Sequence, residues 1–162
     1  MDNHQFTGAK IQNKYKTSSL LKDVAIPSEL QLTLRGENFL AYDSGSDDRE
    51  RFLNFSTEQN LDLLESTPQW HADGTFKCCP ALFYQLYTVH GVLNGHTIPL
   101  VYMLLKRKTR KLYLRALSEL KEINPCLHPS QITIDFELAC LLAFEELFPK
   151  VSINGKYVFF CW

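Results

Sequence analysis

Three strand-like segments in close succession, Trp70–Phe76, Phe83–His90 and Ile98–Leu105, constrain this chain more than any other feature. Each is short and rich in aromatic or branched apolar residues, and Gly91 and Gly95 mark the turn between the second and third. Brief links of this kind join antiparallel neighbours, so the three segments should form a meander. A helix fits Arg110–Ile123, with Leu112, Ala116, Leu117 and Leu120 on one stripe and Lys111, Arg115 and Glu119 towards water. Pro125 and Pro129 then mark a loop. Gln131–Asp135 is a fourth strand ending in an acid, and Phe136–Phe148 a second helix stopped by Pro149. Its inward residues are expected to be Ala139, Leu142, Ala143 and Leu147. Tyr157–Cys161 is a last apolar strand.

The order β-β-β-α-β-α-β is the ribonuclease H-like arrangement, an α/β fold in which three antiparallel strands precede parallel ones and helices flank the sheet. Few common α/β folds begin with a three-stranded meander. Residues 1–26 are polar and aperiodic and read as a flexible arm. Residues 27–69 read as a lead-in to the main unit, residues 70–162. In that lead-in Leu30, Leu32 and Leu34 alternate as in a short strand. Asp43–Asp48 has loop composition, and Arg51–Phe55 reads as a strand. Ser56 with Gln59 makes a capping box for a helix over Thr57–Glu65, with Leu61 and Leu64 on one face and Thr67-Pro68 at its end.

Bulk properties limit the alternatives. The chain has 162 residues, 45% of them apolar and 22% charged, a length and balance suited to one globular domain. Eleven Phe residues point to an aromatic core. No apolar run approaches the ~18 residues that a membrane span requires. The five cysteines are odd in number and lack a CxxC spacing, which argues against a disulfide scaffold, and three or more of them should be buried as small hydrophobes. Net charge is −1, so the whole molecule is no histone-like polycation. Charge is nevertheless clustered: Lys106, Arg107, Lys108, Arg110 and Lys111 place five positive charges within six residues. Such a cluster could contact DNA phosphates or simply be a solvated loop and first helical turn.

Two acids stand where chemistry could use them. Asp73 lies within the first strand of the meander and Asp135 at the carboxyl end of the fourth. In a ribonuclease H-like sheet those strands are neighbours. Carboxylates ~4 Å apart repel unless a cation lies between them, and hard oxygen donors suit Mg²⁺ or Mn²⁺. Taken singly, Asp135 could cap the following helix, and Asp73-Gly74 could form a turn. His71 should share the face of Asp73, either beside a metal or as an ordinary histidine. Glu137 lies near enough to Asp135 to assist a cation, or on a solvated helix face.

The segments Trp70-His-Ala-Asp-Gly-Thr-Phe-Lys, Gln85-Leu-Tyr-Thr-Val-His-Gly, Pro99-Leu-Val-Tyr-Met-Leu-Leu and Ile134-Asp-Phe-Glu together resemble the core of the mutator-like element (MULE) transposases. Phe55-Ser-Thr-Glu-Gln-Asn-Leu-Asp-Leu-Leu is similar to their lead-in. Asp73-Gly-Thr-Phe-Lys combined with Asp135-Phe-Glu is the most specific part. The resemblance implies DDE-type DNA cleavage and strand transfer, with Asp73 and Asp135 as the first two metal-binding acids. It also implies Mg²⁺ or Mn²⁺ as cofactor, DNA (transposon ends and target) as partner and the nucleus as location. Self-assembly into a homo-oligomer is left open.

Two departures bear on this expectation. Family members carry a Cys and a His around the strand after the second acid, where this chain has Lys156 and Phe159. The third acid, a Glu on a later helix, would fall beyond Trp162. The domain is therefore expected to be incomplete at its C-terminus, with no zinc-finger segment before it and no strand transfer by the isolated chain. The alternative is a domesticated, non-catalytic DNA-binding or protein-interaction module of the same fold.

Overall fold

A computed structural model describes residues 20–135 and 137–156. Seven strands form one mixed sheet: β1 (Leu40–Asp43), β2 (Leu53–Phe55), β3 (Gln69–Thr75), β4 (Gln85–Leu93), β5 (His96–Leu105), β6 (Gln131–Asp135) and β7 (Ser152–Lys156). Among the described residues, three α-helices accompany them: α1 (Glu58–Ser66), α2 (Arg110–Ile123) and α3 (Leu138–Leu147). The spatial order is β1-β2-β5-β4-β3-β6-β7. β3, β4 and β5 are the antiparallel meander, whereas β3–β6 and β6–β7 are parallel. This is the ribonuclease H-like arrangement that the element order implies.

Local chemistry accounts for each element. β4 and β5 are joined through Asn94 (φ 51) and Gly95 (φ 77), both left-handed, as a two-residue hairpin turn requires. The Thr109 hydroxyl accepts from the Leu112 N–H and caps α2, whose buried stripe is Leu112, Tyr113, Ala116, Leu117 and Leu120. Trp70 is buried, and its indole Nε1 donates to the carbonyls of Leu64 (3.1 Å) and Thr67 (2.9 Å), satisfying the end of α1. Alternate residues Trp70 and Ala72 of β3, and Ile132 and Ile134 of β6, enter a core shared with all three helices. On the opposite face, His71, Asp73, His90, Thr97 and Thr133 are exposed or half-buried.

Several expectations need correction. The Leu30–Leu34 alternation forms no strand. Ser28–Leu30 is a 3₁₀ turn, Leu32 makes only an isolated bridge to Asn38, and Leu30, Leu32 and Leu34 are exposed. One edge of the sheet is β1, which the sequence pattern does not reveal. The cap of α1 is Thr57, whose side chain accepts from the Asn60 N–H, because the Ser56 hydroxyl donates instead to the Leu100 carbonyl (2.9 Å). α3 begins later than expected; Ala143 is buried and Ala139 and Leu147 pack against the core as expected, but Cys140 and Phe144, rather than Leu142, complete the inward face. Cys140 is buried, but Cys78 and Cys126 are exposed and Cys79 is half-buried, which overturns the expectation of mostly buried cysteines. β7 lies at Ser152–Lys156; the strand expected at Tyr157–Cys161 falls outside the described residues, as does the arm up to residue 19. Among the described residues, no helix is long and apolar enough to cross a membrane.

Two ion pairs join the N-terminal strands to their surroundings. Arg51 is buried, donating to both carboxylate oxygens of Asp43 and to the carbonyls of Leu21 and Val24. Arg115 of α2 pairs with Asp48 at 2.6 Å. Burial opposes ionisation of Asp43 and Asp48. Donation from Arg51 and the Gly45 N–H to Asp43, and from Arg115, Ser44 and the Glu50 N–H to Asp48, outweighs it and lowers both pKa values. A depressed folded pKa gives stability that is present above the unfolded value of about 3.9 and lost as pH falls through the folded value. The thermal midpoint is therefore expected to stay level down to about pH 5 and to drop below about pH 4. Arg51→Met should lower the neutral-pH midpoint and flatten the acid decline; an unchanged decline in circular-dichroism melts would contradict this.

Candidate functional site

Parallel pairing of β3 with β6 runs from Gln69↔Gln131 to Ala72↔Ile134, so the next step of the register sets Asp73 beside Asp135. Neighbouring strands lie about 4.8 Å apart, which brings the two acids within reach of one small ligand. Both are exposed and stand on the face opposite the helices. Asp73-Gly74 is not a turn, since β3 continues to Thr75. Asp73 and Asp135 line a common cleft of about 150 Å³ with His71, Ala72, His90 and Thr97.

His71 shares the face of Asp73, as period-2 alternation requires. Its Nδ1 lies 3.4 Å from the Thr97 hydroxyl. His90 is directly opposite His71 in the β3–β4 register and lines the same cleft. The expected strand stops at His90, beside a turn assigned to Gly91; β4 instead continues to Leu93, which sets His90 within the sheet.

On the helix side of the same sheet end, a smaller pocket of about 120 Å³ is lined by Gly74, Phe76, Tyr87, Lys108, Asp135, Glu137 and Cys140. Glu137 is engaged at both oxygens: Tyr113 donates to Oε1 at 2.7 Å, and Lys108 pairs with Oε2 at 2.9 Å. Tyr87 and Cys140 meet at 2.7 Å between the hydroxyl and Sγ. Burial raises both groups, Cys140 to about 12, so Cys140 is held as a neutral thiol and is no nucleophile.

The basic cluster occupies the β5–α2 loop and the first turn of α2. β3, β5 and β6 point the same way, so this loop lies at the sheet end that carries Asp135. Lys106 donates to the Arg49 carbonyl (2.7 Å), Arg107 lies 3.9 Å from Glu50, and Arg110 pairs with Glu146. Lys108 also sits over the Phe76 ring, 4.4 Å from its centroid. Lys111 is exposed. No acid occupies the first turn of α2, so Arg110 and Lys111 face the positive end of the helix dipole.

The donor set fits a hard divalent cation as part of a site. Two exposed carboxylates share one cleft, but among the described residues no group of three or more His, Cys, Asp or Glu side chains is gathered to hold a metal.

A mixed α/β sheet, with a three-stranded antiparallel meander beside parallel strands and two acids next to each other on β3 and β6, has the architecture of a ribonuclease H-like domain. Residues 69–158 match the sequence model of the MULE transposase domain, more than half of the chain, and the chain belongs to that family. MULE transposases act on DNA and are generally dependent on divalent metal. No curated protein and no solved structure matches the chain.

Gly74 carries a specific packing constraint. A Cβ there would fall 2.6 Å from Oε1 of Gln85, a fully buried side chain that would have to shift. Gly74→Ala should destabilise the fold by about 1–3 kcal/mol, read as a lower urea midpoint. Gln85→Ala should recover part of that loss in a double-mutant cycle. Additive effects would contradict the assigned clash.

Proposed function

We propose that this domain derives from a metal-dependent DNA cleavage and strand-transfer enzyme, with Asp73 and Asp135 as two of its metal-binding acids. The observation that carries the reading is their side-by-side placement on β3 and β6, lining one cleft. A divalent ion bound there would activate the attacking oxygen and stabilise the leaving oxygen of a phosphodiester. The chain's own contribution is to fix two hard oxygen donors on strands rather than loops, with His71 and His90 beside them.

DNA is proposed to approach along the β5–α2 edge, contacting Lys106, Arg107, Lys108, Arg110 and Lys111. Support comes from their placement at the same sheet end as Asp135, and from like charges gathered at a helix N-terminus, where bound phosphate would relieve their repulsion with the dipole. A DNA substrate implies residence in the nucleus. Assembly of copies of the chain on paired DNA ends belongs to the same proposal.

Two carboxylates hold a divalent ion weakly. We therefore propose that the chain is inactive in strand transfer by itself. The basic loop at the same sheet end also suits a second reading, a non-catalytic DNA-binding or protein-interaction module that keeps the fold. Neither nicking nor joining of duplex DNA is expected from the 162-residue chain in Mn²⁺. Mn²⁺-dependent nicking that disappears in Asp73→Ala would show that two acids suffice. Replacing Lys106, Arg107 and Lys111 by Gln should weaken retention on DNA and reduce the salt slope by about one for each phosphate no longer neutralised. Unchanged retention would remove the basic cluster from the interface.

A further inference from the structure

Behind the acid pair, on the helix side of the sheet, polar side chains are linked where apolar ones would pack. Gln85 donates from Nε2 to the Tyr113 hydroxyl, Tyr113 donates to Glu137 Oε1 (2.7 Å), and Glu137 Oε2 pairs with Lys108 (2.9 Å). Gln85 and Tyr113 are both fully buried.

Each end of this linked series touches the backbone next to an acid. At one end, Gln85 Oε1 fills the space that a side chain on Gly74 would occupy, so the amide packs directly against the residue after Asp73. At the other, Glu137 is the N-cap residue of α3, and its N–H donates to the Asp135 carbonyl at 2.6 Å. The link therefore spans from β3 just past the first acid to the β6–α3 junction just past the second.

Packing alone does not account for these residues. Gln85 Oε1 is buried and has no hydrogen-bond partner among the described residues. An unmet buried acceptor costs about 1–3 kcal/mol, whereas apolar groups of the same shape can replace a buried polar pair at little cost. Turning the amide over would not help. It would set Oε1 against the oxygen of Tyr113, whose proton is already committed to Glu137. What such a network gains over apolar packing is a fixed geometry, since each hydrogen bond restricts its partners.

We propose that Gln85, Tyr113, Glu137 and Lys108 are positioning residues that hold Asp73 and Asp135 at the separation a divalent cation requires. This rests on reading the two acids as metal ligands. Glu137 then acts from behind the site, its charge offset by Lys108, rather than as a ligand. Tyr113 stays a neutral donor, because burial, with the Glu137 charge adding to it, drives its hydroxyl far above the ordinary phenol value.

Mn²⁺ binding to the full chain, followed by water-proton relaxation, tests this. Wild-type protein should bind Mn²⁺ and Asp73→Asn should not. Tyr113→Phe leaves the net charge unchanged, yet should weaken binding about tenfold, as loss of a residue supporting metal ligands does. The double variant Gln85→Met/Tyr113→Phe removes both polar partners together. It should keep a near-wild-type melting temperature and bind as weakly. Wild-type affinity in both Tyr113→Phe and the double variant, whatever their melting temperatures, would reduce the network to a packing role and overturn the proposal alone. Absence of Asp73-dependent binding in the wild type would instead overturn the acid-pair reading, and this inference with it.

Discussion

A parallel pair of strands cannot be closed by a tight turn, so β3 and β6 meet only because the chain between them leaves and returns. It runs out along β4 and β5, crosses back through α2, and re-enters the sheet beside β3. The crossover has to bury the apolar stripe of α2 on the sheet, and Leu112, Ala116, Leu117 and Leu120 do so. Trp70 anchors the start of β3 by capping the end of α1 and packing edge-on against Phe148. With both ends of the crossover fixed, the register of β3 against β6 is fixed too. That register sets the two acids side by side.

The two faces of the sheet then divide the chemistry. Alternation sends Trp70, Ala72, Ile132 and Ile134 into the core, and Asp73 and Asp135 out of it. The carboxylates are exposed, so a cation can reach them. On the core side, where water is excluded, the Gln85–Tyr113–Glu137 hydrogen bonds are stronger and more directional. Lys108 links this interior to the basic loop, since it meets Glu137 on one side and the Phe76 ring on the other. Acid pair, polar network and basic loop all lie at one end of the sheet because β3, β5 and β6 run parallel.

Much of this was legible in the residues. The meander, the span of α2, the Gln131–Asp135 strand and the pairing of Asp73 with Asp135 all follow from periodicity, turn residues and element order. Other features depend on tertiary neighbours that no local pattern records. Leu30, Leu32 and Leu34 alternate as a strand does, yet the sheet edge is taken by Leu40–Asp43 and the leucines remain exposed. Ser56 and Thr57 are equally good caps by chemistry, and the choice falls to Thr57 because Leu100, far away in the chain, takes the Ser56 hydroxyl. Gln85 and Tyr113 read as ordinary strand and helix residues, since their link to Glu137 exists only after β4, α2 and α3 pack together. Gly74 has the look of a turn residue; its lack of a side chain instead makes room for Gln85.

The central claim, that β3 and β6 present a carboxylate pair to one divalent cation, is tested most directly by anomalous diffraction from crystals equilibrated with Mn²⁺. A manganese peak is expected beside the Asp73 and Asp135 carboxylates, on the open face of the sheet. A peak elsewhere, or none at those two acids under saturating Mn²⁺, would contradict it.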